Sequence, residues 1–179
     1  PTELGNSTGN IKIENSQTSS TDINLSGSGV KLRFNYKTFK KQHLAFGSGK
    51  SQSSIEKFDL HNDLKNVESI KMYIQLECPS GGCNAWDVYS NIMVKDPDSS
   101  EWFEIGRYIT PYGIDNKKLE RGFEIDVTDF KSQLKGNVEL KSFIEVWGSD
   151  GWNLSVDFDY IIGDPDFTNY KVSRIIQYN

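Results

Sequence analysis

Ser69-Ile70-Lys71-Met72-Tyr73-Ile74-Gln75-Leu76 is the stretch that decides the fold. Ile70, Met72 and Ile74, with Cys78 beyond them, fall on one side of an extended chain, and Tyr73 and Gln75 fall on the other. Successive side chains of a strand point to opposite faces, so this period of two specifies a half-buried strand. The pattern recurs on both sides. Upstream, Val30, Leu32, Phe34 and Tyr36 alternate with Lys31, Arg33 and Asn35. Downstream, strands are predicted over Trp86–Lys95, Trp102–Ile109, Phe123–Val127, Glu139–Trp147 and Leu154–Ile162. Turn-forming runs separate them: Lys95-Asp96-Pro97-Asp98, Pro111-Tyr112-Gly113, Lys135-Gly136-Asn137 and Gly148-Ser149-Asp150-Gly151. Only Asp129–Leu134 reads as helical, for about one turn, with Thr128 placed to cap it. Many short strands without alternating helices predict an antiparallel β-sandwich.

The chain of 179 residues suits one domain. Its hydrophobic share of 36% is low but uneven. Residues 1–28 hold no aromatic side chain, whereas the remainder carries all ten Phe, eight Tyr and four Trp, bulk enough for a sizeable core. Residues 1–28 therefore read as a polar leader or the tail of a preceding module, with Ile11-Lys12-Ile13 and Ile23-Asn24-Leu25 as candidate short strands. The domain proper is expected over 29–163, closed by Gly163-Asp164-Pro165, with 164–179 leading away from it. Residue 1 is Pro, which reads as a processed chain or a fragment. The net charge of −5 comes with Lys and Arg scattered among acids, so the basic stripe that nucleic acid requires is missing. No apolar run approaches the ~20 residues that cross a bilayer, which argues against a membrane partner.

Both cysteines lie in Glu77-Cys78-Pro79-Ser80-Gly81-Gly82-Cys83. Pro79, Gly81 and Gly82 let the chain turn tightly enough to join Cys78 to Cys83. A zinc site would need two further soft ligands, and only His43 and His61 exist, in unrelated places. A local disulfide is the favoured reading, and it implies an oxidising compartment and export.

Two places carry possible chemistry. Asp87 stands at the start of Trp86-Asp87-Val88-Tyr89-Ser90-Asn91, beside the cysteine loop. Aspartate is disfavoured in strands, so it is either a turn cap or a functional acid. In Phe143-Ile144-Glu145-Val146-Trp147, alternation turns Ile144 and Val146 to the core and Glu145 and Trp147 to the opposite side. An indole beside a carboxylate suits a sugar, whose C–H face stacks while its hydroxyls donate to the acid; an exposed strand glutamate beside an edge tryptophan is the plainer alternative. Other chemistries fit less well. Neither histidine sits in a recognisable triad, two isolated histidines cannot hold copper, and no Gly-rich phosphate loop opens a helix. Asn6-Ser7-Thr8 and Asn153-Leu154-Ser155 match a glycosylation acceptor, a pattern common by chance.

These residues resemble a known family. Asn84-Ala85-Trp86-Asp87-Val88-Tyr89-Ser90-Asn91, after the cysteine pair, looks like the active-site strand of the peptide-N-glycosidase F family. Glu101 to Tyr112, Arg121 to Ser132, Ser155-Val156-Asp157-Phe158-Asp159 and the closing Ile176-Gln177-Tyr178-Asn179 are similar to its later segments. The likeness runs in order from about Lys37 to the end of the chain. It implies an antiparallel jelly-roll β-sandwich of about eight strands, one of two such domains lying side by side around a cleft. It further implies a secreted or periplasmic bacterial hydrolase that cleaves the amide between an asparagine side chain and the first N-acetylglucosamine of an N-linked glycan. No metal or other cofactor is implied. By position, the catalytic acids fall on Asp87 and Glu145, the substrate-binding indoles on Trp147 and Trp86, and the disulfide on Cys78 and Cys83. Two departures stand out. The family has an arginine after the catalytic aspartate where this chain has Val88, and its second domain, which carries another essential glutamate, has no counterpart here. The expected partners are thus an N-glycan and that second domain. The expectation is half of an amidase, inactive in isolation; a carbohydrate-binding module that kept the fold and lost the chemistry, or a purely structural adhesion domain, are the alternatives.

Overall fold

The computed structural model describes residues 5–15, 18–114, 119 and 121–166. The chain divides into two compact units, Pro1–Leu32 and Arg33–Asn179. In the first, β1 (Gly5–Asn15) and β2 (Thr18–Gly29) form an antiparallel hairpin in which Ile11 faces Ile23 and Gly9 faces Leu25. The two short candidate strands are thus the apolar centre of a longer ladder. Backbone pairing needs no apolar side chain, so Ser, Thr and Gly extend it at both ends.

The second unit contains β3 (Arg33–Lys37), β4 (Gln42–Leu44), β5 (Ser53–Asp59), β6 (Val67–Glu77), β7 (Tyr89–Lys95), β8 (Trp102–Ile109), β9 (Phe123–Asp126), β10 (Asn137–Ile144) and β11 (Trp152–Ile162). One sheet has the order β3-β11-β6-β9, with β4 also paired to β11; the other has the order β5-β10-β7-β8. Strands β3 and β4 occupy successive stretches of one β11 edge, opposite 157–161 and 152–154. Eight strand positions result, four in each sheet, all pairings are antiparallel, and the connections other than β3–β4 and β7–β8 pass between the sheets. This is a jelly-roll sandwich. It forms because β6 and β11 each turn every second side chain inward. Ile70, Met72, Ile74 and Leu76 join Leu154, Val156, Phe158 and Tyr160, all fully buried, against Ile92, Val94, Leu140 and Ile144 from the facing sheet. Each such side chain stabilises the fold by roughly 1.5–3 kcal/mol.

Several expected boundaries shift, each for a physical reason. The strand expected from Val30 begins at Arg33, because Arg33 already pairs with Ile161 and β11 ends at Ile162. Val30 and Leu32 are left 86% and 58% exposed. Strands β4 and β5 were not foreseen. The first has three residues, and the second is an edge strand whose Ile55 faces solvent. The expected helical turn is a 3-10 turn over Thr128–Phe130, with Thr128 inside it and not capping it. The Thr128 hydroxyl instead accepts the Ile70 N–H at 2.9 Å, and Asp126 Oδ1 accepts the Thr128 N–H at 2.9 Å. Burial alone would raise the Asp126 carboxyl, but hydrogen bonds from Lys71 and Thr128 outweigh it and hold the pKa below its ordinary value. Beyond Asp166, the expected link lies outside the described residues.

Gly151, entering β11, has φ of 62°, and a Cβ there would collide with the Leu44 carbonyl oxygen and Ala45. Its own carbonyl accepts the Asn84 N–H at 3.1 Å. Replacing Gly151 with Ala combines left-handed backbone strain with a clash against β4, and should lower the unfolding free energy by about 2–4 kcal/mol. Urea denaturation is the measurement, and a loss below about 0.5 kcal/mol would contradict this close approach.

Candidate active site

Strand β6 delivers the chain into the cysteine loop. Cys78 and Cys83 are disulfide-bonded with their Cα atoms 4.5 Å apart. Gly82, at φ 102°, donates its N–H to the Pro79 carbonyl at 3.0 Å and completes the turn. Cys83 is buried in the core, so the loop is anchored from below. The expected strand from Trp86 starts only at Tyr89, which places Trp86 and Asp87 in the segment leading into β7. Neighbouring loops hold that segment: Asn84 N–H donates to Gly151 O, Gly113 N–H donates to Ala85 O at 2.9 Å, and Asn84 Nδ2 donates to Trp86 O at 2.9 Å. Asp87 is exposed, while Val88 packs inward against the core. Val88 therefore contributes to the sandwich interior.

Strand β10 pairs with β7 as far as Ile144 opposite Ser90, three residues short of the expected end at Trp147. The next residue continues the contact, since Glu145 N–H donates to the Tyr89 carbonyl at 2.9 Å. Beyond it the backbone tightens, with Val146 N–H bonded to Ile144 O at 2.8 Å and the Gln52 side chain donating to Val146 O at 2.6 Å. Ile144 and Val146 are fully buried, which directs Glu145 and Trp147 outward. Glu145 thus lies alongside Tyr89, two residues from Asp87, on the same sheet and at the same end. Trp86 and Trp147 are there too, 66% and 67% exposed.

Sequence reasoning missed two rings of this surface. Phe46 stands 5.2 Å from Trp147, and Tyr112 stands 6.0 Å from Trp86, centroid to centroid. Both reach the site from loops distant in sequence. Tyr112 carried a faint signal, an aromatic between Pro111 and Gly113 in an exposed turn; Phe46 carried none.

Next to the site a polar cluster covers the outer face of β7 and β8. Glu104 Oε2 accepts the Tyr89 hydroxyl at 2.7 Å and Asn91 Nδ2 at 2.8 Å, while Arg107 Nε donates to Glu104 Oε1 at 2.7 Å. Burial raises the Tyr89 phenol, reinforced by Glu104. Burial would also raise Glu104, but the hydrogen bonds from Arg107, Asn91 and Tyr89 prevail and its pKa lies below the ordinary value. The histidines serve elsewhere: His43 Nε2 bonds the Asp150 carbonyl and His61 Nδ1 the Tyr36 hydroxyl. Among the described residues, no group of three or more His, Cys, Asp or Glu is placed to hold a metal. No helix of the described residues is long and apolar enough to cross a membrane.

An antiparallel jelly roll with two carboxylates and paired aromatic rings gathered at one sheet end is the class of domain that fold and site define. Residues 88–160 match the family model described as peptide-N-glycosidase F, N terminal. The chain is 51% identical over 145 residues to peptide-N(4)-(N-acetyl-beta-D-glucosaminyl)asparagine amidase F of Elizabethkingia miricola, across 81% of this chain and 41% of that protein. It superposes on the structure of PNGase F, a glycosylasparaginase from Flavobacterium meningosepticum, with a TM-score of 0.77 and 50% identity, over 83% of this chain and 48% of that one. PNGF-II shares the fold at a TM-score of 0.61 and 12% identity, over 75% of this chain and 35% of its own. The sandwich is thus similar to the N-terminal domain of the peptide-N-glycosidase F type. The chain spans less than half the length of these relatives.

Because the Glu104 pKa is depressed on folding, its contribution to stability is present above the unfolded carboxylate range and is lost as pH falls through the folded pKa. Glu104→Gln should therefore flatten the acid limb of stability between neutral pH and pH ~3. Melting temperatures across that range test this, and a limb as steep as that of the unsubstituted chain would refute it.

Proposed function

We propose that this domain carries the N-terminal part of the active site of a peptide-N4-(N-acetyl-β-glucosaminyl)asparagine amidase, which hydrolyses the glycosylated asparagine amide and leaves aspartate. The observation that carries the reading is the hydrogen bond from Glu145 N–H to Tyr89 O, which sets Glu145 beside the start of the strand that Asp87 precedes. A carboxylate so placed can orient and deprotonate a water, or protonate the departing amide nitrogen. In this reading Asp87 acts at the amide, Glu145 accepts hydroxyl hydrogen bonds from the first sugars, and Trp147 and Trp86 offer faces for stacking. The partners are an N-glycan and a second jelly-roll domain that completes the cleft. Turnover is assigned to the pair of domains and not to this one alone. The disulfide supports a secreted or periplasmic setting, and the organisms of the relatives support a bacterial one.

Val88 and the exposed ring pairs favour a second reading, a non-catalytic carbohydrate-binding module. A hybrid of this chain with the remaining part of the Elizabethkingia relative separates the two. It should release N-glycans from a denatured glycoprotein, Asp87→Asn should lower the rate by at least ~100-fold, and Trp147→Ala should mainly raise KM. Full release by the Asp87→Asn hybrid would remove Asp87 from the chemistry. A hybrid that binds chitobiose no better than this chain and releases nothing would establish the binding module.

A further inference from the structure

Thr110 lies just past the end of β8 and is 1% exposed. Its hydroxyl makes two hydrogen bonds of opposite sense. Oγ1 donates to the Trp86 carbonyl at 3.1 Å and accepts the Val88 N–H at 2.9 Å. The Thr110 N–H also donates to the Val88 carbonyl at 3.1 Å, one step beyond the last β7–β8 pair, Tyr89 with Ile109. The Trp86 carbonyl belongs to the peptide group before the Asp87 Cα, and the Val88 N–H belongs to the one after it. These two planes define φ and ψ of Asp87, and with them the direction of its Cα–Cβ bond. A single buried hydroxyl holds both.

We propose that Thr110 is a positioning residue, whose hydroxyl fixes the backbone of Asp87 and so aims its carboxylate into the site. The proposal rests on the reading of Asp87 given above. Of the side chains in the described segment, Asn84 also reaches Trp86, but Thr110 alone engages both flanking peptides. Serine at 110 keeps both bonds. Valine keeps the shape, makes neither, and leaves the Val88 N–H without its acceptor.

The test uses this chain, with chitobiosyl-asparagine, which carries the amide that Asp87 faces in that reading, as the probe and two readouts. The first is amide exchange at Val88. It should quicken by at least about tenfold in Thr110→Val and stay slow in Thr110→Ser. The second is a double-mutant cycle in binding. Thr110→Val should weaken chitobiosyl-asparagine binding by about tenfold where Asp87 is present and by less than about twofold in Asp87→Asn, while Thr110→Ser stays within about twofold of the parent. A purely structural role would produce the same loss in both backgrounds. Equal losses, or unchanged Val88 exchange in Thr110→Val, overturn the proposal. If the parent chain does not bind chitobiosyl-asparagine, or Asp87→Asn binds it unchanged, the reading of Asp87 fails instead, and Val88 exchange still decides whether the hydroxyl holds the segment. Should Thr110→Val not fold, Thr110→Ala removes the same hydroxyl and is measured in its place.

Discussion

The pairing of β6 with β11 is the constraint on which the sandwich depends. It runs from Asn153 opposite Glu77 to Ile162 opposite Val67, the longest ladder in the domain. Every other strand of that sheet pairs with one member of this couple: β3 and β4 with β11, and β9 with β6. The second sheet has no pairing to either strand and is held by the inward side chains between the layers. Hydrogen bonding therefore orders each sheet, while burial of Met72, Ile74, Val156 and Phe158 against Ile92 and Leu140 joins them.

The site lies where this regularity stops. Strand β7 starts late, β10 ends early, and the chain between β6 and β7 is closed by the disulfide. Backbone groups released from the ladders are taken up by specific partners, among them Gly151 O for Asn84, Tyr89 O for Glu145 and Thr110 for the peptides around Asp87. Irregular backbone can project acids outward only if its own polar groups are satisfied. The rigid sheets beneath make that possible, since each partner is itself fixed by a strand end or a tight turn.

Much of this could be read in the amino-acid order. The period of two identifies β6, β8, β10 and β11 because their inward positions are occupied by large apolar residues. The same alternation, with Ile144 and Val146 inside, points Glu145 and Trp147 outward. It misleads at Val30 and Leu32, where the pattern runs past the end of the partner strand. It is silent on β4 and β5, which lie at sheet edges and have little to bury. Phe46 and Thr110 were out of reach for another reason. Their roles come from contacts across loops, and no local rule relates position 110 to position 87 or position 46 to position 147.

The route of the chain between the two sheets bears on how the domain is made. Strand β3, the first of the sandwich, pairs with β11, the last, with Asn35 bonded to Asp159 across 124 positions. While a ribosome is still adding residues, the opening strand has no edge to join, and the central ladder is open as well. The sheet built on β11 therefore cannot be completed until nearly the whole domain has emerged. Cys78 and Cys83, five positions apart, need no such wait and can find each other as soon as they meet an oxidant.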